Sequence, residues 1–215
     1  MIDIVILSNA KTKKLEQITR DCIYDLKKNT KNCNIIIVEQ NENVKYNADK
    51  VLYIKSNFNY NQFANIGASF GTNKYICIAN NDLIFTKNWF DEILNANYPI
   101  CSPISPNDKR QIGITKNEIG DVVGRNLSGW CFVIERNLWE QIGGFDEDFS
   151  FWCADNSLME QLKAIDVLPM LVPKSVVHHL GSLTLKSVSN RDELTRQQVI
   201  KFNKKYNQNL FGYGK

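Results

Sequence analysis

Three consecutive polar residues, Asn80, Asn81 and Asp82, interrupt the apolar stretch YICIANNDLIF from Tyr75 to Phe85. Asn and Asp both accept turn geometry and hydrogen-bond their own backbone, so a polar turn is one reading. The other is chemical. A carboxylate at the carboxyl end of a buried strand stands where open α/β sheets place their ligands, and Asp82 could meet a metal ion or a phosphate there. Two more polar positions follow strand-like runs: Ser8 with Asn9 after DIVIL, and Glu39 after NIIIV. If these strands are parallel, all three positions share one edge and rim one crevice.

The two histidines of the chain, His178 and His179, end a later apolar run, SVVHH. Neighbours on a strand face opposite ways, so at most one of them reaches a given site. Histidine, carboxylate and diphosphate oxygens together form a reasonable shell for Mn²⁺ or Mg²⁺. Asp155 lies in GGFDEDFSFWCADNSLMEQL, where carboxylates alternate with Phe145, Phe149, Phe151 and Trp152. It reads either as a helix N-cap or as a general base walled by aromatic rings that bind a sugar or a nucleobase.

The elements that must position these residues alternate in type. DIVIL (3–7), NIIIV (34–38), VLYI (51–54) and YICIA (75–79) read as strands, and near-continuous Val/Ile runs indicate parallel strands covered on both faces. KKLEQITRDCIYDLKKN carries Leu15, Ile18, Cys22 and Leu26 at helical spacing, and a second helix is expected over 62–70. In the second half NWFDEILN, RNLWEQIGG and NSLMEQLKAI read as helices, the middle one closing on Gly143 and Gly144. GWCFVIE is expected as a strand, with VLPMLVP and SVVHH as two late strands. From Asn190, a capping pattern with Glu193 opens a terminal helix carrying Val199, Phe202 and Tyr206 on one side. No repeat or linker divides the chain, so 1–215 reads as one α/β domain with 190–215 as a C-terminal helix packed on it.

Composition bounds the function. With 43% hydrophobic and 23% charged residues the chain is an ordinary globular one. A net charge of +3, with lysines scattered rather than blocked, leaves no footprint of binding nucleic acid by charge alone. The apolar run at the amino terminus is too short for a signal peptide or a membrane span, which points to the cytoplasm. The six cysteines show neither a C-x-x-C pair nor zinc spacing and read as reduced thiols.

Taken in order, these motifs resemble the GT-A-fold glycosyltransferases of family 2, in particular the rhamnosyltransferase-like branch. DIVILSNAK looks like the opening strand and base-contacting turn, and Glu39 occupies the place of a nucleoside-binding aspartate. SNFNYNQFANIG supplies Asn57, Asn65 and Gly67, with Asn59 in place of a glycine, a tolerable change where the backbone is left-handed. Asn80-Asn81-Asp82 falls on the Asp-x-Asp metal motif. LSGWCFVIERNLWEQIGGFDEDF looks like the acceptor-side segment, and the Glu-Asp pair that follows it lands on Ala154 and Asp155. A Pro, His, Ser/Thr spacing picks out Pro173, His179 and Thr184.

The resemblance implies a Rossmann-like, mostly parallel sheet flanked by helices, and an inverting hexosyl- or pentosyltransferase. It implies donor contacts from Ser8, Asn9, Glu39, Asn57, Asn65, Asn80 and Asn81, and acceptor contacts from Gly129, Trp130 and Trp152. Asp82 and His179 would hold Mn²⁺ or Mg²⁺, with His178 as the fallback ligand, and Asp155 would be the base. The donor would be a UDP- or dTDP-sugar, and the acceptor a saccharide hydroxyl or a hydroxylated DNA base. Loss of the acidic neighbour at Ala154 also admits a nucleotide-sugar-binding protein without catalysis.

Overall fold

The structure is a computed structural model that describes residues 1–150, 152–181 and 191–212. Thr184 and Asn190 of the expected motifs lie outside the described residues. The strands are β1 (Ile2–Ser8), β2 (Cys33–Glu39), β3 (Lys50–Tyr53), β4 (Tyr75–Asn80), β5 (Leu83–Phe85), β6 (Ile100–Ile104), β7 (Glu118–Ile119), β8 (Cys131–Glu135) and β9 (Met170–His179). The helices are α1 (Lys13–Asn29), α2 (Tyr60–Ser69), α3 (Trp89–Ala96), α4 (Arg136–Gln141), α5 (Ala154–Lys163) and α6 (Arg191–Tyr206), followed by a 3-10 turn at Leu210–Gly212.

Among the described residues the strands form one nine-stranded sheet in the order β3-β2-β1-β4-β8-β6-β9-β5, with β7 pairing beside β9. β1 to β4 are mutually parallel, and β6 and β9 run with them. β5, β7 and β8 run against them. The sheet is therefore mostly parallel, as expected. In register, Ser8 stands beside Glu39 and Leu7 beside Asn80, so the polar ends of β1, β2 and β4 do share one edge.

β1 is apolar at nearly every position because both its faces are covered. Ile2, Ile4 and Ile6 join a core that contains Cys22, Ile23 and Leu26 of α1 and Trp89, Phe90 and Ile93 of α3. Val5 and Leu7 join the opposite core, with Phe63 and Ala64 of α2, Leu138 and Trp139 of α4, and Leu158 and Leu162 of α5. α6 packs separately, its Val199 and Phe202 against Phe149 and Cys153. Lys201 and Lys205 add ion pairs to Asp148, and Lys205 a further one to Asp146. Among the described residues, no helix is long and apolar enough to cross a membrane.

α2 lies unusually close to the sheet at Gly67. A Cβ there would collide with Cγ1 of Val5 and meet Cγ2 of Val38 at 3.1 Å. Gly67→Ala should therefore overpack this face and destabilise the fold by about 1–3 kcal/mol. A thermal melt checks this; an unchanged melting temperature would show that α2 can back away freely.

Two expectations need correction. VLPMLVP and SVVHH are not two strands but parts of the single β9. Pairing with β6 jumps from Pro103–Val172 to Ile104–Val176, so the residues between 172 and 176, including Pro173, bulge out of the ladder. A bulge is where a strand tolerates proline. Asn59 is not left-handed: its φ is −131°, and it caps α2, its side chain accepting from the Gln62 N–H at 3.1 Å.

Candidate active site

A cavity of about 570 Å³ opens at the shared polar edge, lined by Ser8, Asn9, Asn80, Asn81, Asp82, Trp130, Asp155 and His179 among others. β4 carries the chain to Asn80, whose N–H donates to the Trp130 carbonyl at 2.9 Å. The polar triplet is thus pinned to the start of β8. β5 then pairs with the end of β9, placing Leu83 opposite His179, while the Leu180 N–H donates to the Asp82 carbonyl at 3.0 Å.

This pairing brings Nε2 of His179 to 3.3 Å from Oδ1 of Asp82. Asp82 is buried, and Nε2 of His179 is buried without a hydrogen bond. The indole of Trp130 stacks on the His179 ring, centroids 5.4 Å apart and planes 18° apart, and its own Nε1 is likewise buried without a partner. An imidazole nitrogen with no hydrogen bond beside a carboxylate oxygen is a donor set that suits a divalent cation. Among the described residues, no third His, Cys, Asp or Glu joins them, so a cation here would complete its shell from ligand oxygens and water. His178 does not line the cavity.

Across the cavity stands Asp155. It is not an N-cap: Cys153 holds that position with φ 62°, and Asp155 is the second residue of α5. Its Oδ1 accepts the Asn156 N–H at 3.0 Å. Gly129 makes room for it, since a Cβ at 129 would come within 3.0 Å of Oδ2 of Asp155. The Gly129 carbonyl is held by the Tyr60 hydroxyl at 2.8 Å. Burial pushes the Asp155 carboxyl above the usual carboxylate range, against the lowering effect of the Asn156 N–H and the Arg110 charge. Cys153 also lines the cavity, but burial and the neighbouring Asp155 push its thiol up to about 12, which makes it a poor nucleophile at neutral pH. All six cysteines are free thiols.

A buried chain of hydrogen bonds sets the rim. Oε2 of Glu39 accepts from the Tyr46 hydroxyl at 2.8 Å, and that hydroxyl lies 3.3 Å from Oγ of Ser8. Ser8 in turn bonds to Oγ1 of Thr19 at 3.1 Å, and Thr19 accepts from Nδ2 of Asn81 at 2.8 Å. Oε1 of Glu39 takes the backbone N–H groups of Ala10, Gln40 and Asn41 at 2.8–3.1 Å. Glu39 is thus fully enclosed and fully bonded, and it does not line the cavity.

Asn57 and Asn65 do not line it either. Asn57 is exposed. Asn65 exchanges two hydrogen bonds with the backbone of Phe145, at 2.8 and 2.9 Å, and so ties α2 to the loop before α5. Trp152 and Ala154 do line the cavity, as do Lys11 and Tyr60, which sit inside DIVILSNAK and SNFNYNQFANIG without having been singled out, and Arg110 and Gly124, two positions that no sequence motif marked. Of these, Gly124, with φ +83°, was the most accessible to sequence reasoning, as a glycine where the chain must turn.

A sheet with this strand order, its site across the carboxyl ends of β1 and β4, defines the GT-A glycosyltransferase fold. Two solved structures illustrate the likeness. One is the crystal structure of GalNAc-T7 with UDP, GalNAc and Mn²⁺, which matches 100% of this chain at a TM-score of 0.68 and 14% identity. The other is the mannosyltransferase PcManGT from Pyrobaculum calidifontis in complex with GDP-Man and Mn²⁺, which matches 94% of it at a TM-score of 0.61 and 12% identity. The chain spans 53% and 64% of the lengths of those two proteins. No family model matches the sequence, and no curated protein is significantly similar to it.

Proposed function

We propose that the protein is a metal-dependent glycosyltransferase that moves a sugar from a nucleoside-diphosphate sugar to an acceptor hydroxyl, with inversion at the anomeric carbon. One observation carries this reading: a carboxylate–imidazole pair, Asp82 with His179, and a separate half-buried carboxylate, Asp155, line a single cavity at the carboxyl edge of a GT-A sheet. The ordered set of motifs supports placement in the rhamnosyltransferase-like branch of family 2.

The donor would lie across the strand ends, with Ser8, Asn9, Asn80 and Asn81 along its nucleotide. Asp82 and His179 would hold Mn²⁺ or Mg²⁺, which supplies positive charge against the departing diphosphate. The acceptor enters beside Gly129, Trp130 and Trp152, and the two tryptophans line the cavity wall and can pack against a sugar ring. Asp155 takes the proton of the acceptor hydroxyl, and that oxygen forms its bond to the anomeric carbon. On the opposite side the bond from carbon to diphosphate oxygen breaks, and its electron pair leaves with the diphosphate. A saccharide acceptor fits better than DNA, because the mild net charge of +3 gives little support for holding a phosphate backbone.

The test is release of nucleoside diphosphate from a panel of UDP-, dTDP- and GDP-sugars, with Mn²⁺, Mg²⁺ or chelator, and with saccharide or hydroxymethylated DNA as acceptor. Acceptor-dependent release supports an enzyme, and tight donor binding with no release under any condition would leave only a binding protein. Asp82→Ala should weaken donor binding in Mn²⁺ about tenfold or more, the loss of one charged ligand group. It should leave binding in chelator as it was. Equal titrations of wild type and variant in Mn²⁺ would remove the cation from this position.

A further inference from the structure

The segment between β6 and β8 has no helical or strand periodicity, yet it is firmly anchored. Gln111 is fully buried. Its Oε1 accepts the Ser105 N–H at 2.8 Å, and its Nε2 donates to Oγ of Ser128 at 2.9 Å and to the Arg125 carbonyl at 3.1 Å. Ser105 in turn accepts the His179 N–H through Oγ at 3.3 Å. The short arc from Ser105 to Gln111 is therefore a bracket fixed at both ends, one end being attached to the strand that carries His179.

Arg110 projects from that bracket into the cavity. Asp108 grips one edge of its guanidinium, Nε at 3.1 Å and Nη2 at 2.8 Å, and also accepts its backbone N–H at 3.0 Å. None of these bonds uses Nη1. Nη1 lies against Gly124, where a Cβ would collide with it. A glycine at φ +83° is thus what gives the guanidinium its seat. Arg110 lies within electrostatic reach of Asp155, and Asp108 within reach of His179. Arg110 consequently shares the cavity wall with Asp155 on one side of the chemistry and with Asp82 and His179 on the other. Arg110 and Lys11 are the Arg and Lys side chains on the described cavity wall, and of the two only Arg110 is gripped by a carboxylate.

We propose that Arg110 binds the terminal phosphate of the donor's nucleoside diphosphate, through the edge of its guanidinium that Asp108 leaves uncommitted. This rests on reading the cavity as a nucleotide-sugar site. A guanidinium already held by a carboxylate and seated over Gly124 loses little freedom when it meets a phosphate, and its planar fork suits that group. The charge it meets grows as the sugar departs, because the breaking bond leaves its electron pair on that phosphate, so the contact strengthens towards the transition state.

The experiment is calorimetric titration of UDP, GDP and dTDP, each beside its monophosphate, into wild type, Arg110→Gln, Arg110→Lys and Gly124→Ala, all with Mn²⁺. The wild type should prefer one diphosphate over its monophosphate. Arg110→Gln should lower affinity for that diphosphate about 10-fold to 100-fold and leave the monophosphate unchanged, so that the preference collapses. Arg110→Lys should retain part of it. Gly124→Ala should reproduce the selective loss with Arg110 still present, since the seat is filled. The melting temperature of unliganded Arg110→Gln reports that the exposed substitution leaves the fold intact. A diphosphate preference in Arg110→Gln equal to that of wild type overturns the assignment while the nucleotide-sugar reading stands. A wild type that binds none of the six nucleotides overturns that reading and this assignment with it.

Discussion

Asp155→Asn should lower sugar transfer by about 10²–10⁴-fold, the usual range for a positioned general base, with nucleoside diphosphate affinity unchanged. The amide preserves shape and can still accept the Asn156 N–H, but it cannot take a proton from the acceptor. The pH profile separates this role from a packing role. Burial holds the Asp155 carboxyl above the usual carboxylate range, and the base works only when ionised. The rate should therefore climb with pH through that raised value, and the acid limb of kcat should lie above the pH at which an ordinary aspartate titrates. In Asp155→Asn that limb should vanish together with the activity. A variant that keeps most of its turnover would be fatal to this assignment.

The largest expected effect on stability lies at the other end of the sheet. Asp3 is fully buried at the amino edge of β1. Its Oδ1 accepts from the side-chain amides of Asn34 and Asn73, both at 2.8 Å, and its Oδ2 from the Asn73 N–H and from Nη2 of Arg136, both at 2.7 Å. One carboxylate thus joins β1, β2, the approach to β4 and the first turn of α4. Asp3→Ala would remove the carboxylate that neutralises the Arg136 guanidinium, whose side chain is only 16% exposed and would keep only the Asn73 and Ala68 carbonyls, and should cost about 3–5 kcal/mol. In a chain of this length that lowers the melting temperature on the order of 10 °C. Because Asp3 lies at the edge remote from the cavity, nucleotide affinity per folded molecule should not change. A melting temperature within experimental error of wild type would show that the four hydrogen bonds only replace equally good ones to water.

Much of this architecture was legible in the sequence where periodicity and burial coincide. α1 follows its apolar spacing over Lys13–Asn29 without adjustment, and β1, β2 and β4 follow their Val/Ile runs to within two residues. Elements whose residues carry other duties were hidden. β6 (ICSPI) is interrupted by a serine and a proline; β5 has three residues and β7 two. Each is held by its neighbours rather than by its own pattern. At the site, residues at strand ends could be placed because strand register is regular: Ser8, Asn80 and Asp82 fall on the expected edge. Glu39 falls there too, yet it turns inward to three backbone N–H groups and Tyr46, a choice set by local loop geometry that no spacing reveals. Arg110 was invisible for the converse reason. Its position depends on Gln111 and Asp108 within an aperiodic loop, and on a glycine fourteen residues further along the chain.

The hydrogen-bonded chain from Glu39 through Tyr46, Ser8 and Thr19 to Asn81 bears on how the cavity behaves before any ligand arrives. Its members come from β2, the segment before β3, β1, α1 and the turn after β4, and each is hydrogen-bonded to the next. The conformational entropy of that wall is lost when the chain folds, so little of it remains to be lost on binding. On that side a nucleotide meets a mould rather than a loop that must be gathered around it. Discrimination among nucleotides should accordingly show itself in how fast they leave rather than in how fast they enter.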